Sequence, residues 1–203
     1  MNLQETYTQL LLEIGFTSTE IPTLWLALEK NYTQKSRYYH NLTHLEEMVF
    51  SFSLYKQELE HPNEVLYSIF YHDYIYKVTK TDNELKSAQY AISLLKPDYK
   101  INKELVFDMI LATQNHLHHI EEDCNWLIDF DLKVLSKNEE QYKRYTQEIR
   151  DEYKIYPDIL YNPARKKALH HFLTQPSIYQ TQEFQSLFED KARENMENEI
   201  QQL

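Results

Sequence analysis

Apolar residues recur along this chain at the three- and four-residue spacing that is typical of amphipathic helices. Ten segments carry this pattern, and short polar or proline-containing stretches separate them. The predicted helices cover residues 3–13, 22–31, 43–59, 63–76, 81–96, 102–115, 123–135, 138–153, 157–174 and 182–203. Proline near the start of the second segment, and Thr-x-x-Glu patterns beginning at Thr43 and Thr81, are typical of helix starts.

The glycine content supports the helical interpretation. Gly15 is the single glycine in 203 residues, against an average usage of about 7%. Glycine-rich phosphate-binding loops and Asn-Gly or Asp-Gly hairpin turns are therefore excluded. We expect an all-α protein, a single-domain helical bundle of about nine or ten helices that spans residues 1–203 without repeat or linker.

The charge of the chain limits its partners. Acidic residues outnumber basic ones by 32 to 21, for a formal charge of −11. A surface of this charge repels nucleic-acid backbones and anionic membranes, so neither a nucleic acid polymer nor a membrane is an expected partner. The first residues lack a signal-peptide pattern. Cys124 is the only cysteine and fits a reducing compartment, so we expect a cytoplasmic protein. A homodimer is one option, since helical proteins of this size often dimerise.

Metal-competent side chains interrupt three of the apolar stripes. His72 and Asp73 share the apolar face of the fourth predicted helix, Asp131 lies in the stripe of the seventh, and His44 lies on the third. A buried carboxylate is costly unless it is paired or bound to a metal. Two imidazoles and two carboxylates would form a mixed N/O site suited to Mn, Fe, Co, Ni, Zn or, less well, Mg. Such a site suits the hydrolysis of a phosphorylated substrate.

This arrangement resembles the HD superfamily of metal-dependent phosphohydrolases, whose signature is a His, a His-Asp doublet and a distant Asp, all on helices. The matching stretches are RYYHNLTHLEEMV at 37–49, FYHDYIY at 70–76 and LIDFDLKVL at 127–135. More narrowly, the chain is similar to a group of bacterial proteins described only as predicted metal-dependent HD phosphohydrolases, through YHNLTHL, HDYIY, NELKSA, ATQNH, DFDLKVL, YTQEIRDEY and KARENMENEI. The resemblance covers roughly residues 37–200. It implies core motifs at about 37–135, with C-terminal helices in 138–203 packed on them.

The resemblance implies four ligands of a divalent metal ion, which are His44, His72, Asp73 and Asp131. Asp73 is expected to be essential for turnover as well as for metal binding. Cyclic-nucleotide phosphodiesterases carry a similar YHN-x-x-H segment, in which the second His binds metal and the first contacts the phosphate or leaving group. His40 is therefore expected to be a general acid or phosphate contact, or else an exposed residue ahead of the helix. Asp129 is the rival of Asp131, but it lies on a different face of the helix.

Four more residues are candidates for roles around the metal. Glu84 in NELKSA could orient or deprotonate the nucleophilic water, or be a capping-box glutamate after Thr81. His116 could bind phosphate or a second metal, or stabilise a helix C-terminus. Arg37 and Arg150 could bind a substrate phosphate, because guanidinium matches its geometry. The acids beside Arg150 favour a structural ion pair there.

The expected function is hydrolysis of a phosphate ester or anhydride in a small phosphorylated molecule, such as a nucleotide, by metal-activated water. One alternative is a di-iron HD-type oxygenase, which would need His116 with His118 or His119 as additional ligands. The other alternative is a non-catalytic module that binds metal or nucleotide.

Overall fold

Every regular element in the computed structural model, which describes residues 2–203, is helical. The ten α-helices are α1 Leu3–Ile14, α2 Ile21–Tyr32, α3 Leu42–Tyr55, α4 Pro62–Tyr71, α5 Asn83–Ser93, α6 Lys103–Asn115, α7 Glu122–Leu132, α8 Glu139–Glu152, α9 Asp158–Leu173 and α10 Gln182–Gln202. Two 3₁₀ segments, Lys56–Glu58 and Lys133–Ser136, continue α3 and α7. The prediction of an all-α bundle of nine or ten helices is confirmed. None of the described helices is long and apolar enough to cross a membrane.

Asparagine side chains begin several of these helices, because a short amide oxygen can accept the free N–H groups of a first turn. The asparagine caps are Asn2, Asn41, Asn102 and Asn138. The two predicted threonine caps are wrong. Asn41 caps α3 by accepting the N–H of Thr43 at 2.8 Å, which places Thr43 inside the helix. Helix α5 begins after Asp82, with no side-chain cap bond.

The fourth helix ends earlier than its apolar pattern predicts. The expected end was residue 76, but α4 stops at Tyr71, and the N–H of His72 makes the last helical bond, to Ser68 at 2.8 Å. The next residues bond to other parts of the fold. The N–H of Ile75, for example, donates to Ser87 Oγ at 3.0 Å. The His-Asp doublet therefore lies at the turn that leaves the helix.

Helix α4 is the centre of the core. All residues from Val65 to Tyr71 are buried, on every side of the helix, as expected for a helix surrounded by others. Helices α1, α3, α5, α6 and α7 pack around it. Helix α10 packs against the Lys133–Ser136 segment and α9. The buried apolar residues other than Tyr161 form one continuous cluster.

Buried tyrosines fix the end of α4 that carries the doublet. The hydroxyls of Tyr7 and Tyr71 are 2.5 Å apart, which joins α1 to α4. The hydroxyl of Tyr32 on α2 donates to the carbonyl of Phe70 at 3.1 Å. A buried hydroxyl that lacks a partner is costly, so these bonds restrict how α4 can sit between α1 and α2. The position of His72 follows from them.

Candidate metal centre

Three predicted ligands converge at one point, although they come from separate helices. His44 lies in the first turn of α3, His72 directly follows α4, and Asp131 lies near the end of α7. Nε2 of His44 is 3.3 Å from Nε2 of His72 and 3.2 Å from Oδ1 of Asp131. Nε2 of His72 is 3.9 Å from the same oxygen. These three residues form a group that could hold a metal ion.

Asp73 lies beside this group and is not a member of it, since the ligand atoms of His44, His72 and Asp131 are the ones that lie within 4.8 Å of one another. Its Oδ2 lies 3.2 Å from Nε2 of His72, and the residue is 7% exposed. Ligand atoms about 2.1 Å from a metal ion lie about 3 Å apart when they occupy adjacent octahedral positions. Within the group, the separations of 3.2 and 3.3 Å fit this spacing, and the 3.9 Å between His72 and Asp131 is longer. Two imidazole nitrogens and a carboxylate oxygen are donors that transition metals prefer, so the three residues fit a divalent ion.

Hydrogen bonding orients the ring of His72. Its Nδ1 lies 2.9 Å from the carbonyl oxygen of Ile69. Because a carbonyl only accepts, this bond assigns a proton to Nδ1 and directs Nε2 towards the cluster. Metal-binding histidines are commonly held in this way by a backbone carbonyl.

The cluster is strongly polarised. Burial raises the pKa of Asp73, but His72 lowers it, and the balance lies below the ordinary value. The pKa of Asp131 is also well below its usual range in spite of burial, because His116 and other histidines surround it. Burial lowers the pKa of His72, but Asp73 and Asp131 raise it to about 9. Both carboxylates are therefore ionised at neutral pH and attract a protonated histidine or a metal cation.

His40 lies beside the cluster and is held by a buried carboxylate. Its Nδ1 is 2.7 Å from Oε2 of Glu152, and its Nε2 is 3.9 Å from Oδ2 of Asp73. Oε1 of Glu152 also accepts the backbone N–H groups of Tyr39 and His40, both at 2.9 Å. The ring stacks on Tyr76 with 4.2 Å between centroids. The Nδ1 edge of His40 is thereby occupied, and its Nε2 faces the candidate metal centre.

Glu152 was missed by the sequence interpretation, although the signal was present. It lies on the buried face of α8 together with Tyr142, Tyr145 and Ile149. An acid within an apolar stripe is the same signal that identifies Asp131. The stretch YTQEIRDEY therefore contains a residue that supports the site.

His116 is the C-cap of α6 and contacts the other oxygen of a proposed ligand. It adopts a left-handed conformation with φ of 54°, and its Nε2 lies 3.1 Å from Oδ2 of Asp131. Asp131 is therefore held between His44 and His116. The two residues suggested as further iron ligands are not brought to the cluster in the same way, since His118 is exposed and Nδ1 of His119 accepts the N–H of Glu121 at 3.0 Å.

Glu84 is half-buried on α5. Burial raises its pKa, and the negative charge of Asp73 raises it further, whereas His116 and His72 act in the opposite direction. Glu84 lies in the first turn of α5, and Asp82 is the N-cap of that helix.

The two arginines suggested as phosphate contacts are engaged elsewhere. Arg37 is buried, and its guanidinium donates to the carbonyls of Asp73 at 2.7 Å and Tyr74 at 2.9 Å. It therefore supports the chain around the doublet. Arg150 donates to Asp158 at 2.6 Å and lies over the ring of Tyr161, 4.6 Å from its centroid. The structure brings neither guanidinium to the cluster as a free phosphate fork.

Asp129 and Asp131 have separate roles. Asp129 is fully buried and accepts the N–H of Gln180 at 2.7 Å, and the N–H and hydroxyl of Thr181 at 2.8 and 2.6 Å. It anchors the start of α10 to α7. Of the two acids, Asp131 is the one that joins the cluster, as its position in the apolar stripe predicts.

In comparisons with known proteins, no family model, curated protein or solved structure matches this chain. The fold and the site define its class by themselves. It is an all-helical protein in which His44, His72 and Asp131 form a group able to hold a metal ion.

Proposed function

We propose that the protein is a metal-dependent phosphohydrolase that cleaves a phosphate ester or anhydride in a small molecule. The observation that carries the proposal is the convergence of His44, His72 and Asp131. Asp73 contacts His72 at their edge, and the oriented ring of His40 lies beside Asp73. A divalent ion held by the four residues would lower the pKa of a bound water and polarise a phosphoryl oxygen. The HD-type resemblance of the sequence supports the same chemistry.

His40 is assigned the role of general acid. Glu152 occupies its Nδ1, so Nε2 is the nitrogen available to a leaving group. Burial lowers the pKa of His40, but the charges of Glu152 and Asp73 raise it above its ordinary value. The imidazole therefore keeps its proton to a higher pH than a free histidine does, and its Nε2–H can be donated to a leaving oxygen.

Glu84 is assigned the role of general base. Its raised pKa, which is caused first by burial, makes the carboxylate a better proton acceptor than an exposed glutamate. His116 is assigned a supporting role, because it contacts Oδ2 of Asp131 and leaves Oδ1 on the side of His44.

The test begins with metal content. Chelator-treated protein, loaded in turn with Mn, Fe, Co, Ni, Zn and Mg, is expected to release phosphate from part of a panel of nucleotides, sugar phosphates and aryl phosphates. Asp73→Ala is expected to lose both bound metal and turnover. His118→Ala, which changes an exposed histidine outside the cluster, is the matched control and should retain both.

Four outcomes would contradict this proposal. Wild-type protein that binds metal and hydrolyses nothing in the panel would exclude the proposed activity. Full activity in Asp73→Ala would exclude the ligand assignment. Two irons per chain with oxygen-dependent cleavage would identify the oxygenase alternative, and nucleotide binding without turnover under any metal would identify a binding module.

A further inference from the structure

A cleft opens beside the candidate metal centre, between α3 and the 3₁₀ segment that follows α7. His44 and Asp131 lie in its wall, so the cleft reaches two of the proposed ligands. Its volume is about 540 Å³, within the range of roughly 300–1,000 Å³ that small-molecule pockets occupy. Phe50, Lys133 and Phe188 line the part of the cleft that sequence interpretation did not assign to any function.

Lys133 is a cation of this cleft with no carboxylate partner among the described residues. Its ammonium donates to Ser51 Oγ at 3.4 Å and lies 5.3 Å from the centroid of the Phe188 ring. The neighbouring Lys137 instead forms an ion pair with Glu47. Placing a half-buried cation without a counter-ion is costly. In a chain of formal charge −11, such a cation beside a cavity is available to bind an anion.

The aromatic rings give the cleft a second kind of surface. Phe50 on α3 is 57% exposed, and Phe188 on α10 is partly buried. Exposed rings of this kind can stack on a planar group. Glu46 and Glu47 line the same cleft and would repel a second anionic group, so the space next to the rings suits an uncharged planar group.

We propose that this cleft binds a phosphate ester that carries a planar aromatic group, attached directly or through a sugar. The phosphate lies between the metal centre and Lys133, and the planar group lies against Phe50 and Phe188. The identification of the anion as a phosphate rests on the proposed phosphohydrolase function. Nucleotides and aryl phosphates belong to this substrate class, whereas simple sugar and polyol phosphates do not.

Two probes separate the phosphate from the planar group. Adenosine 5′-monophosphate and ribose 5-phosphate share the phosphate and the sugar and differ by the base. Their affinities can be measured by titration calorimetry with metal-loaded protein in a His40→Asn background, which keeps the four proposed ligands and slows turnover. The nucleotide is expected to bind about 5- to 150-fold more tightly, the range for one stacked base.

Variants then assign the two parts of the cleft. Lys133→Met removes the charge and keeps the apolar stem, and it is expected to weaken both probes about 10- to 150-fold, the range for a hydrogen bond to a charged group. Lys133→Arg should retain binding. Phe50→Ala combined with Phe188→Leu should remove the preference for the nucleotide. Lys56→Met is the matched control, because Lys56 also lies over a ring, 5.9 Å from the Phe52 centroid, but outside the cleft.

The failure of this inference can be distinguished from the failure of the proposed function. Equal affinity for the two probes, or unchanged binding in a folded Lys133→Met protein, would overturn the cleft assignment even if phosphate release from another substrate were found. The expected binding pattern without turnover under any metal would overturn the hydrolytic function and leave the cleft assignment standing. If Lys133→Met does not fold, as judged by circular dichroism, the Phe50 and Phe188 variants and the two probes decide the question.

Discussion

Asp129 and Asp131 lie two residues apart on α7, and replacing each by asparagine separates metal binding from structural anchoring. Oδ1 of Asp131 is 3.2 Å from Nε2 of His44, inside the cluster. The oxygens of Asp129 accept hydrogen bonds from Gln180 and Thr181 instead. Asparagine preserves the size of the side chain and removes its charge. We therefore expect stabilisation by metal to be lost in Asp131→Asn and kept in Asp129→Asn.

The size of the effect follows from linkage. A ligand present at 100 times its Kd stabilises the folded state by about 2.7 kcal/mol. In a domain of this size 1 kcal/mol shifts Tm by about 2–4 °C, so metal should raise the Tm of the wild-type protein by about 5–11 °C. Loss of a supporting partner weakens metal binding by about 10- to 100-fold, and loss of a ligand should weaken it at least 100-fold. At the same metal concentration Asp131→Asn then retains about 0.4 kcal/mol, or about 1 °C.

The assay compares thermal melts of chelator-treated protein with and without metal, at a concentration set from the Kd of the wild-type protein. The measured quantity is the difference between the two melts of each variant. If Asp129→Asn lowers the Tm of the metal-free protein, that change is present in both melts and cancels in their difference. The assignment of Asp131 as a ligand would be refuted if metal raised the Tm of Asp131→Asn as much as it raises the Tm of the wild-type protein. It would also be refuted if metal no longer raised the Tm of Asp129→Asn.

Two further substitutions test the support of the site. Glu152→Gln removes a charge that raises the pKa of His40. Because a general acid loses activity as pH rises through its pKa, the alkaline limb of the kcat/KM profile should move to lower pH in this variant. An unchanged pH profile would contradict the role of Glu152. Arg37→Lys replaces the two guanidinium nitrogens that donate separately to the carbonyls of Asp73 and Tyr74 by a single ammonium nitrogen. Denaturant unfolding should show a loss of about 1–3 kcal/mol, and metal titration should show about 10-fold weaker binding. An unchanged Kd would show that Arg37 does not position the proposed ligands.

The order of the helices could be predicted because each helix carries its own apolar stripe. The end of α4 could not. The residues HDYIY continue the apolar spacing, and no proline or glycine interrupts them. The helix is ended by partners distant in the chain: Arg37 takes the carbonyls of Asp73 and Tyr74, and Ser87 bonds the backbone of Ile75. Because these partners are distant in the chain, the sequence around residue 71 carries no signal for the end of the helix.

The residues of the candidate site were predictable to different degrees. Helix periodicity favoured Asp131 over Asp129 without deciding between them, because α7 is buried on every side from Asp123 to Phe130, and the structure brings Asp131 to His44. Glu152 carried the same signal on α8 and was missed. The role of Arg37 was not predictable, because its partners are backbone carbonyls in a turn 36 and 37 residues further along the chain.

The charge balance of the cluster favours a cation site over a structural ion-pair network. Among the described residues, the ion-pair partners of Asp73 and Asp131 are histidines, and neither lysine nor arginine pairs with them. Histidine can give up its proton, so the two carboxylates can exchange a bound proton for a metal ion, which a lysine or arginine partner would not allow. Because metal must displace the proton of His72, whose pKa is about 9, metal affinity should rise with pH up to that value. A cluster that served only to hold helices together would gain nothing from partners that can be released in this way.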